Sequence, residues 1–158
     1  MTTGIVIFDD NKSLRESLEH LIQFSKDFLC LGSFDTAQNV QQQVNEFNPD
    51  VILMDIDMPV VNGIEAVKTI RTFDQRVAII MLTVFDDSQH VLDAICAGAS
   101  GYLLKKHISE KLEDAIHEVL AGGAPMSPGI ARLVIQSMQQ TLPRQENKYK
   151  LTPKEKEI

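Results

Sequence analysis

Along most of the chain, short apolar runs rich in β-branched residues alternate with longer stretches in which apolar side chains recur every three or four positions. The first pattern suits buried strands and the second suits helices with one buried face; their alternation is the signature of stacked βα units around a parallel sheet. Five units can be counted. Strands are predicted over residues 5–8, 28–34, 51–54, 77–82 and 101–104. Helical stripes run through Leu14, Leu18, Leu21 and Ile22; Ile64, Val67 and Ile70; Val91, Leu92 and Ile95; and Leu112, Ala115, Ile116 and Val119. The stretch after Asp35 is polar, but Val40, Val44 and Phe47 mark a buried edge, and Asp35-Thr-Ala-Gln38 reads as its capping signal.

Beyond Gly122-Gly123 the pattern changes. Pro128 precedes a further stripe, Ile130, Leu133, Val134 and Met138, which predicts a sixth helix outside the five units. Residues 141–150 are polar, carry Pro143 and lack periodicity, and read as a linker. The last eight residues, LTPKEKEI, then start another helix, with Thr152 as N-cap, Pro153 in the first helical position and Glu155 completing a capping box. The expected organisation is a main domain over residues 1–124, a connector over 125–150, and the opening of a second domain at 151–158 whose parent continues further.

The main domain is expected to be an α/β, flavodoxin-like, doubly wound five-stranded parallel sheet in the order 2-1-3-4-5 with flanking helices. In such sheets ligands sit outside the carboxyl ends of the strands, where the strand order reverses. The residues just past each strand therefore carry the chemistry: Asp9 and Asp10 after the first, Asp55 after the third, Thr83 after the fourth and Lys105 after the fifth. Strands one and three are neighbours in that order, so three carboxylates converge on one crevice. Clustered like charges are costly unless neutralised, and hard oxygen ligands suit Mg²⁺. A carboxylate beside such a cation can form an acyl phosphate, with the Lys105 ammonium and the Thr83 hydroxyl holding the phosphoryl group. Taken singly, each residue has an ordinary structural role; Asp10, for example, could cap the helix that begins near Lys12. The matching set at four strand ends is what points to chemistry.

Charge and cysteine usage narrow the picture. Net charge is −7, and residues 1–140 hold 10 Lys and Arg against 19 Asp and Glu, so the main body should repel nucleic acid. The final 18 residues reverse the balance, with 5 basic against 3 acidic. Cys30 and Cys96 lie in apolar-periodic segments without CxxC spacing and read as core thiols of a reducing compartment. His20, His90, His107 and His117 lack metal-ligand spacing. MTTGIVIFDD is no signal peptide, and the longest apolar run, 77–82, is too short to cross a bilayer. A cytoplasmic protein without membrane contact is expected.

These residues resemble the receiver domains of two-component response regulators. The likeness spans residues 4–121 and rests on Asp9-Asp10, on LMDIDMPVVNG with Asp55, Pro59 and Gly63, on IIMLT ending in Thr83, and on GASGYLLKK with Tyr102 and Lys105. GYLLK, AGGAPMSP and LTPKEKEI resemble the LuxR/FixJ class in particular, in which the last segment opens a helix-turn-helix DNA-binding domain. The resemblance implies that a sensor histidine kinase phosphorylates Asp55, and that Asp10, Asp55 and the backbone carbonyl of Asp57 hold Mg²⁺ with Asp9 acting through water. It also implies that Thr83 and Tyr102 form a switch pair, the tyrosine ring turning inward as the threonine hydroxyl is drawn to the phosphoryl group. A phosphorylation-dependent homodimer is expected, with DNA bound only through the output domain beyond this chain. Lys106 departs from the acidic residue common at that position in the class, and Asp57 stands two past the acceptor, where the side chain can tune hydrolysis.

Two rival readings make contrary demands. A haloacid-dehalogenase-like phosphatase would match Asp55-Ile-Asp57 but not Met58-Pro59, and a flavodoxin-like flavin binder would need a Ser/Thr/Gly-rich phosphate loop where Asp9-Asp10-Asn11 stand.

Overall fold

The computed structural model describes residues 2–84 and 88–150, with residues 88 and 140–150 described by their backbone alone. The described elements are β1 (Thr3–Phe8), α1 (Lys12–Phe24), β2 (Phe28–Phe34), α2 (Val40–Phe47), β3 (Val51–Asp55), α3 (Gly63–Phe73), β4 (Ala78–Thr83), α4 (Ser88–Ala97), β5 (Gly101–Leu104), a 3₁₀ turn (Lys105–His107), α5 (Ile108–Leu120) and α6 (Pro128–Lys150). The five strands form one parallel sheet in the order β2-β1-β3-β4-β5. The order reverses between β1 and β3, as the sequence predicts.

Each central strand alternates between two apolar layers, because successive side chains point to opposite faces. Val6, Phe8, Ile52, Met54, Ile79 and Met81 face one side, where Val40, Val44, Val67, Ile70 and Val91 pack against them from α2, α3 and α4. Ile5, Ile7, Val51, Leu53, Ile80 and Leu82 face the other, against Leu18 and Ile22 of α1 and Leu112, Ile116 and Val119 of α5. Polar groups are nearly absent from both layers; among the described residues, those fully buried are Asp9, Asp55 and Thr83, all at the carboxyl ends of strands.

Three expectations are corrected, and one alternative reading of Asp10 is set aside. The helix after β2 is not capped from Asp35: the Thr36 hydroxyl accepts the Gln38 N–H at 3.3 Å and the Ala37 carbonyl accepts the Val40 N–H at 3.2 Å, so a turn at residues 38–39 precedes α2, which starts at Val40. The cap of α1 is Asn11, not Asp10; its side chain accepts the Leu14 N–H at 3.1 Å. Residues 141–150 continue α6 rather than leaving it. Gln, Arg, Glu and Lys are good helix formers whatever their hydropathy, and the one amide bond that Pro143 removes does not end the helix. The cysteines are not core thiols: Cys30 is half-buried and Cys96 exposed, since residue 96 lies off the inward stripe that carries Val91 and Ala94. The helix start at Thr152-Pro153-Glu155 lies outside the described residues.

The segment after α5 is docked on the sheet. Tyr102 N–H donates to the Pro125 carbonyl at 2.9 Å, and Tyr102 pairs with Met126 in a single parallel bridge. Gly101 permits this approach, because a Cβ there would lie 2.7 Å from the Pro125 ring. Ile130 of α6 is fully buried in the layer that faces α3 and α4.

Candidate functional site

The crevice is assembled at the switch point between β1 and β3. The first strand ends by delivering Asp9, whose N–H donates to the Phe34 carbonyl of β2 at 3.0 Å. Its Oδ1 accepts the Asn11 N–H at 2.8 Å, and Oδ2 lies 3.0 Å from Lys105 Nζ. The chain then turns at once into α1, leaving Asp10 exposed at the rim. Asp55 ends β3 and is 2% exposed; its Oδ1 lies 3.1 Å from Lys105 Nζ and accepts the Asp57 N–H at 3.3 Å.

The loop after Asp55 is held from below. Gly63 N–H donates to the Ile56 carbonyl at 2.8 Å, and Gly63 packs so close that a Cβ would fall 2.1 Å from the Asp55 carbonyl oxygen. A side chain at position 63 would therefore push the acceptor strand out of place. Asn62 and Glu65 close a capping box at the start of α3, with Asn62 Oδ1 accepting the Glu65 N–H at 2.9 Å. Just before Asn62 the chain makes a tight turn, in which Val61 N–H donates to the Pro59 carbonyl at 2.8 Å and Val60 has φ +72°.

Three carboxylates meet here: oxygens of Asp9, Asp10 and Asp55 all lie within 4.8 Å of one another. Burial pushes the Asp55 carboxyl up to about 7, and the Asp9 charge adds to the rise, against the pull of Lys105 and the Asp57 N–H. Burial also opposes the charge on Lys105, but Asp55 and Asp9 outweigh it and hold the ammonium above its ordinary value. Among the described residues Lys105 is thus the cation paired with the two buried carboxylates, with exposed Asp10 beside them.

Asp55 Oδ2 is buried and has no hydrogen-bond partner among the described residues. A buried carboxylate oxygen left in that state is costly, and the site is short of positive charge. The donor set consists of hard oxygens, and Asp10 opens it to solvent. These features fit a divalent cation of the oxygen-preferring kind.

Asp9, Asp10, Asp55 and Lys105 are thus brought together as the sequence predicts. Thr83 is 2% exposed and lies one residue beyond Leu82, the register partner of Asp55 on β4. Tyr102 lies one strand further, paired in register with Met81. Its side chain is fully buried. Asp57 and Lys106 are exposed. The sequence reading missed Arg15, whose guanidinium Nη1 donates to the Asp9 carbonyl at 2.7 Å. An arginine on the polar face of a helix carries no signal by itself; its place within two turns of an Asp-Asp pair was the available clue.

The model of the response regulator receiver domain matches residues 5–117. The chain belongs to the response regulator receiver family. The transcriptional regulatory protein DegU of Brevibacillus brevis is 34% identical over 142 residues, which cover 90% of this chain and 60% of that protein. The nitrate/nitrite response regulator NarL of Escherichia coli is 29% identical over 155 residues, 98% of this chain and 72% of its own length. Among solved structures, a LuxR-family two-component response regulator from Aurantimonas superposes with a TM-score of 0.81 at 33% identity, covering 87% of this chain and 99% of that one. This is therefore a receiver domain of the LuxR/NarL type, a signalling switch rather than an enzyme of steady turnover, and neither the phosphatase nor the flavin-binding alternative is favoured. The chain spans about 60% of the DegU regulator's length. Among the described residues no helix is long and apolar enough to cross a membrane.

Proposed function

We propose that Asp55 accepts a phosphoryl group from the phosphohistidine of a sensor kinase and that the modified domain controls a DNA-binding output domain in the full-length parent. The observation that carries this reading is the state of the Asp55 carboxyl: buried at a strand end, bonded through Oδ1 to Lys105 and the Asp57 N–H, with Oδ2 unpartnered among the described residues. One Asp55 oxygen attacks phosphorus, an acyl phosphate bond forms, and the P–N bond to the donor imidazole breaks with the electron pair returning to nitrogen. Lys105 spans Asp9 and Asp55 in the resting site and then serves as counter-charge for the transferred group. Thr83 supplies a hydroxyl from the next strand, and its coupling to Tyr102 carries the state of Asp55 to the α4–β5–α5 surface.

Asp10, Asp55 and the Asp57 backbone carbonyl would hold Mg²⁺, with Asp9 acting through water; when bound, the cation would offset the charge on the phosphoryl oxygens. The names of the regulators similar to this chain support transcriptional control as the output, and homodimerisation on phosphorylation fits an output that reads paired half-sites. The setting is taken to be the cytoplasm.

The test is labelling with acetyl phosphate and Mg²⁺, followed by intact mass. The wild-type chain should gain one phosphoryl group and Asp55→Asn none, because the amide keeps the shape but loses the nucleophile. Undiminished labelling of Asp55→Asn would falsify the assignment.

A further inference from the structure

Asp9 has a partner at each of its polar atoms, three through hydrogen bonds and Oδ2 through an ion pair alone. Its N–H reaches β2, Oδ1 takes the Asn11 N–H, Oδ2 faces Lys105, and its carbonyl receives Arg15 Nη1 at 2.7 Å. The first three contacts come from the backbone or from the site itself. The fourth comes from a half-buried arginine on the first turns of α1, where the helix dipole disfavours a cation. Helix stability therefore does not account for a basic residue there, whereas the short charge-assisted bond does.

That carbonyl belongs to the peptide unit joining Asp9 to Asp10. A peptide unit is planar, so holding its oxygen restrains the rotation of the whole plane and with it the position of the Asp10 Cα, from which the side chain departs. Asp10 is exposed, and no hydrogen bond among the described residues holds its carboxylate, yet its oxygen lies within 4.8 Å of those of Asp9 and Asp55. Repulsion from the two buried carboxylates should swing it outward toward water. Something must set the backbone so that it points inward.

We propose that Arg15 is a positioning residue of the carboxylate cluster: by gripping the Asp9 carbonyl it orients the Asp9–Asp10 peptide, aims Asp10 into the crevice and so sets the affinity for a divalent cation. The inference rests on the phosphoryl-acceptor reading of the crevice. Outer partners that orient ligands typically contribute 10–100-fold in metal affinity, and a single backbone-mediated contact should fall near about tenfold.

Mn²⁺ serves as the probe, its free concentration read by electron paramagnetic resonance in titrations of the wild-type chain, Arg15→Met and Arg15→Lys, without any phosphoryl donor. Arg15→Met keeps the length and loses the donor; it should bind Mn²⁺ about tenfold more weakly. Arg15→Lys keeps a charged donor and should recover much of the loss. An unchanged affinity in Arg15→Met overturns the proposal. So does a tighter one, which removal of a cation near three carboxylates would give through charge alone. Arg15→Lys no better than Arg15→Met overturns it as well, since a donor there would then contribute nothing. If Arg15→Met loses the native far-ultraviolet circular dichroism, Arg15→Gln replaces it with the same expectation. A wild-type chain that binds no Mn²⁺ overturns the acceptor reading of the crevice, and this inference with it.

Discussion

At the carboxyl ends of β1 and β3, Asp9 and Asp55 are buried with one lysine between them, and Asp55 Oδ2 has no hydrogen-bond partner among the described residues. At the outer edge of β5, Pro125 satisfies the Tyr102 N–H, Met126 pairs beside it and Ile130 closes the apolar layer. Both regions lie at the margin of the same sheet, and both take groups out of water. The second does so in the way that stabilises a fold, with the strand edge paired and an apolar side chain buried. The first does the opposite, burying like charges with too few partners. A fold tolerates such a place only when the surrounding packing over-determines it, and here the strands on either side are continuous apolar runs. The contrast separates residues that hold the domain together from residues held in readiness for a ligand, and each can be perturbed without the other.

The largest stability effect should come from the β5 edge. Ile130→Ala removes a fully buried side chain from a packed layer and should cost about 2–4 kcal/mol in urea unfolding. Ile135, on the same helix, is 53% exposed, and Ile135→Ala should stay within about 0.5 kcal/mol of the wild type. Both variants should still be labelled by acetyl phosphate, because neither residue touches the crevice. Equal stability losses from the two would mean that α6 is not docked as described.

The crevice should show itself instead through pH. In the absence of divalent metal, burial and then the Asp9 charge raise the folded-state Asp55 carboxyl to about 7. In the unfolded chain its value is about 4. Between those limits the folded state binds more protons than the unfolded one, so this group's contribution to stability is greatest below about pH 4 and declines as pH rises through about 7. The expected observation is that wild-type stability relative to Asp55→Asn falls across that window, other titrations being common to both proteins. Saturating Mg²⁺ should flatten the difference by favouring the ionised carboxylate. Parallel curves for the two metal-free proteins would remove the case for a strained acceptor.

The sheet and four of the crevice residues were legible because they depend on strong periodic signals. Strands buried on both faces read as unbroken apolar runs, and a residue just past such a run must lie at the carboxyl edge of the sheet. That logic reaches Asp9, Asp10, Asp55 and Lys105 without any knowledge of contacts. It fails where the determining interaction is a backbone one. Arg15 acts on a carbonyl, which every residue has, so beyond its nearness to the Asp9-Asp10 pair nothing in the side-chain pattern marks Asp9 as its target. The onset of α2 is hidden from the pattern for a related reason: Thr36 and Ala37 hydrogen-bond locally and form a turn that competes with the helix. Residues 141–150 lack a hydropathy period yet continue α6, because helix propensity does not depend on hydropathy.

The smallest effect belongs to the loop between β3 and α3, beside the crevice. Val60 sits at φ +72° in the turn closed by the Val61 N–H and the Pro59 carbonyl, a conformation in which a β-branched side chain crowds its own backbone. Strain of this kind costs about 1–3 kcal/mol. The side chain is 77% exposed, so little packing is lost when it is removed. Glycine adopts positive φ freely, but its greater freedom in the unfolded chain offsets the relief by about 0.5–1 kcal/mol. Val60→Gly should therefore stabilise the domain by about 1 kcal/mol, read as a higher urea midpoint with an unchanged slope. The sign distinguishes two explanations of the turn. If the capping box of Asn62 and Glu65 and the close packing of Gly63 under Asp55 dictate the backbone, valine is merely carried into a poor conformation and glycine relieves it. A lower midpoint for Val60→Gly would show that the valine side chain itself holds the loop, and that the strain at residue 60 is not what the positive φ implies.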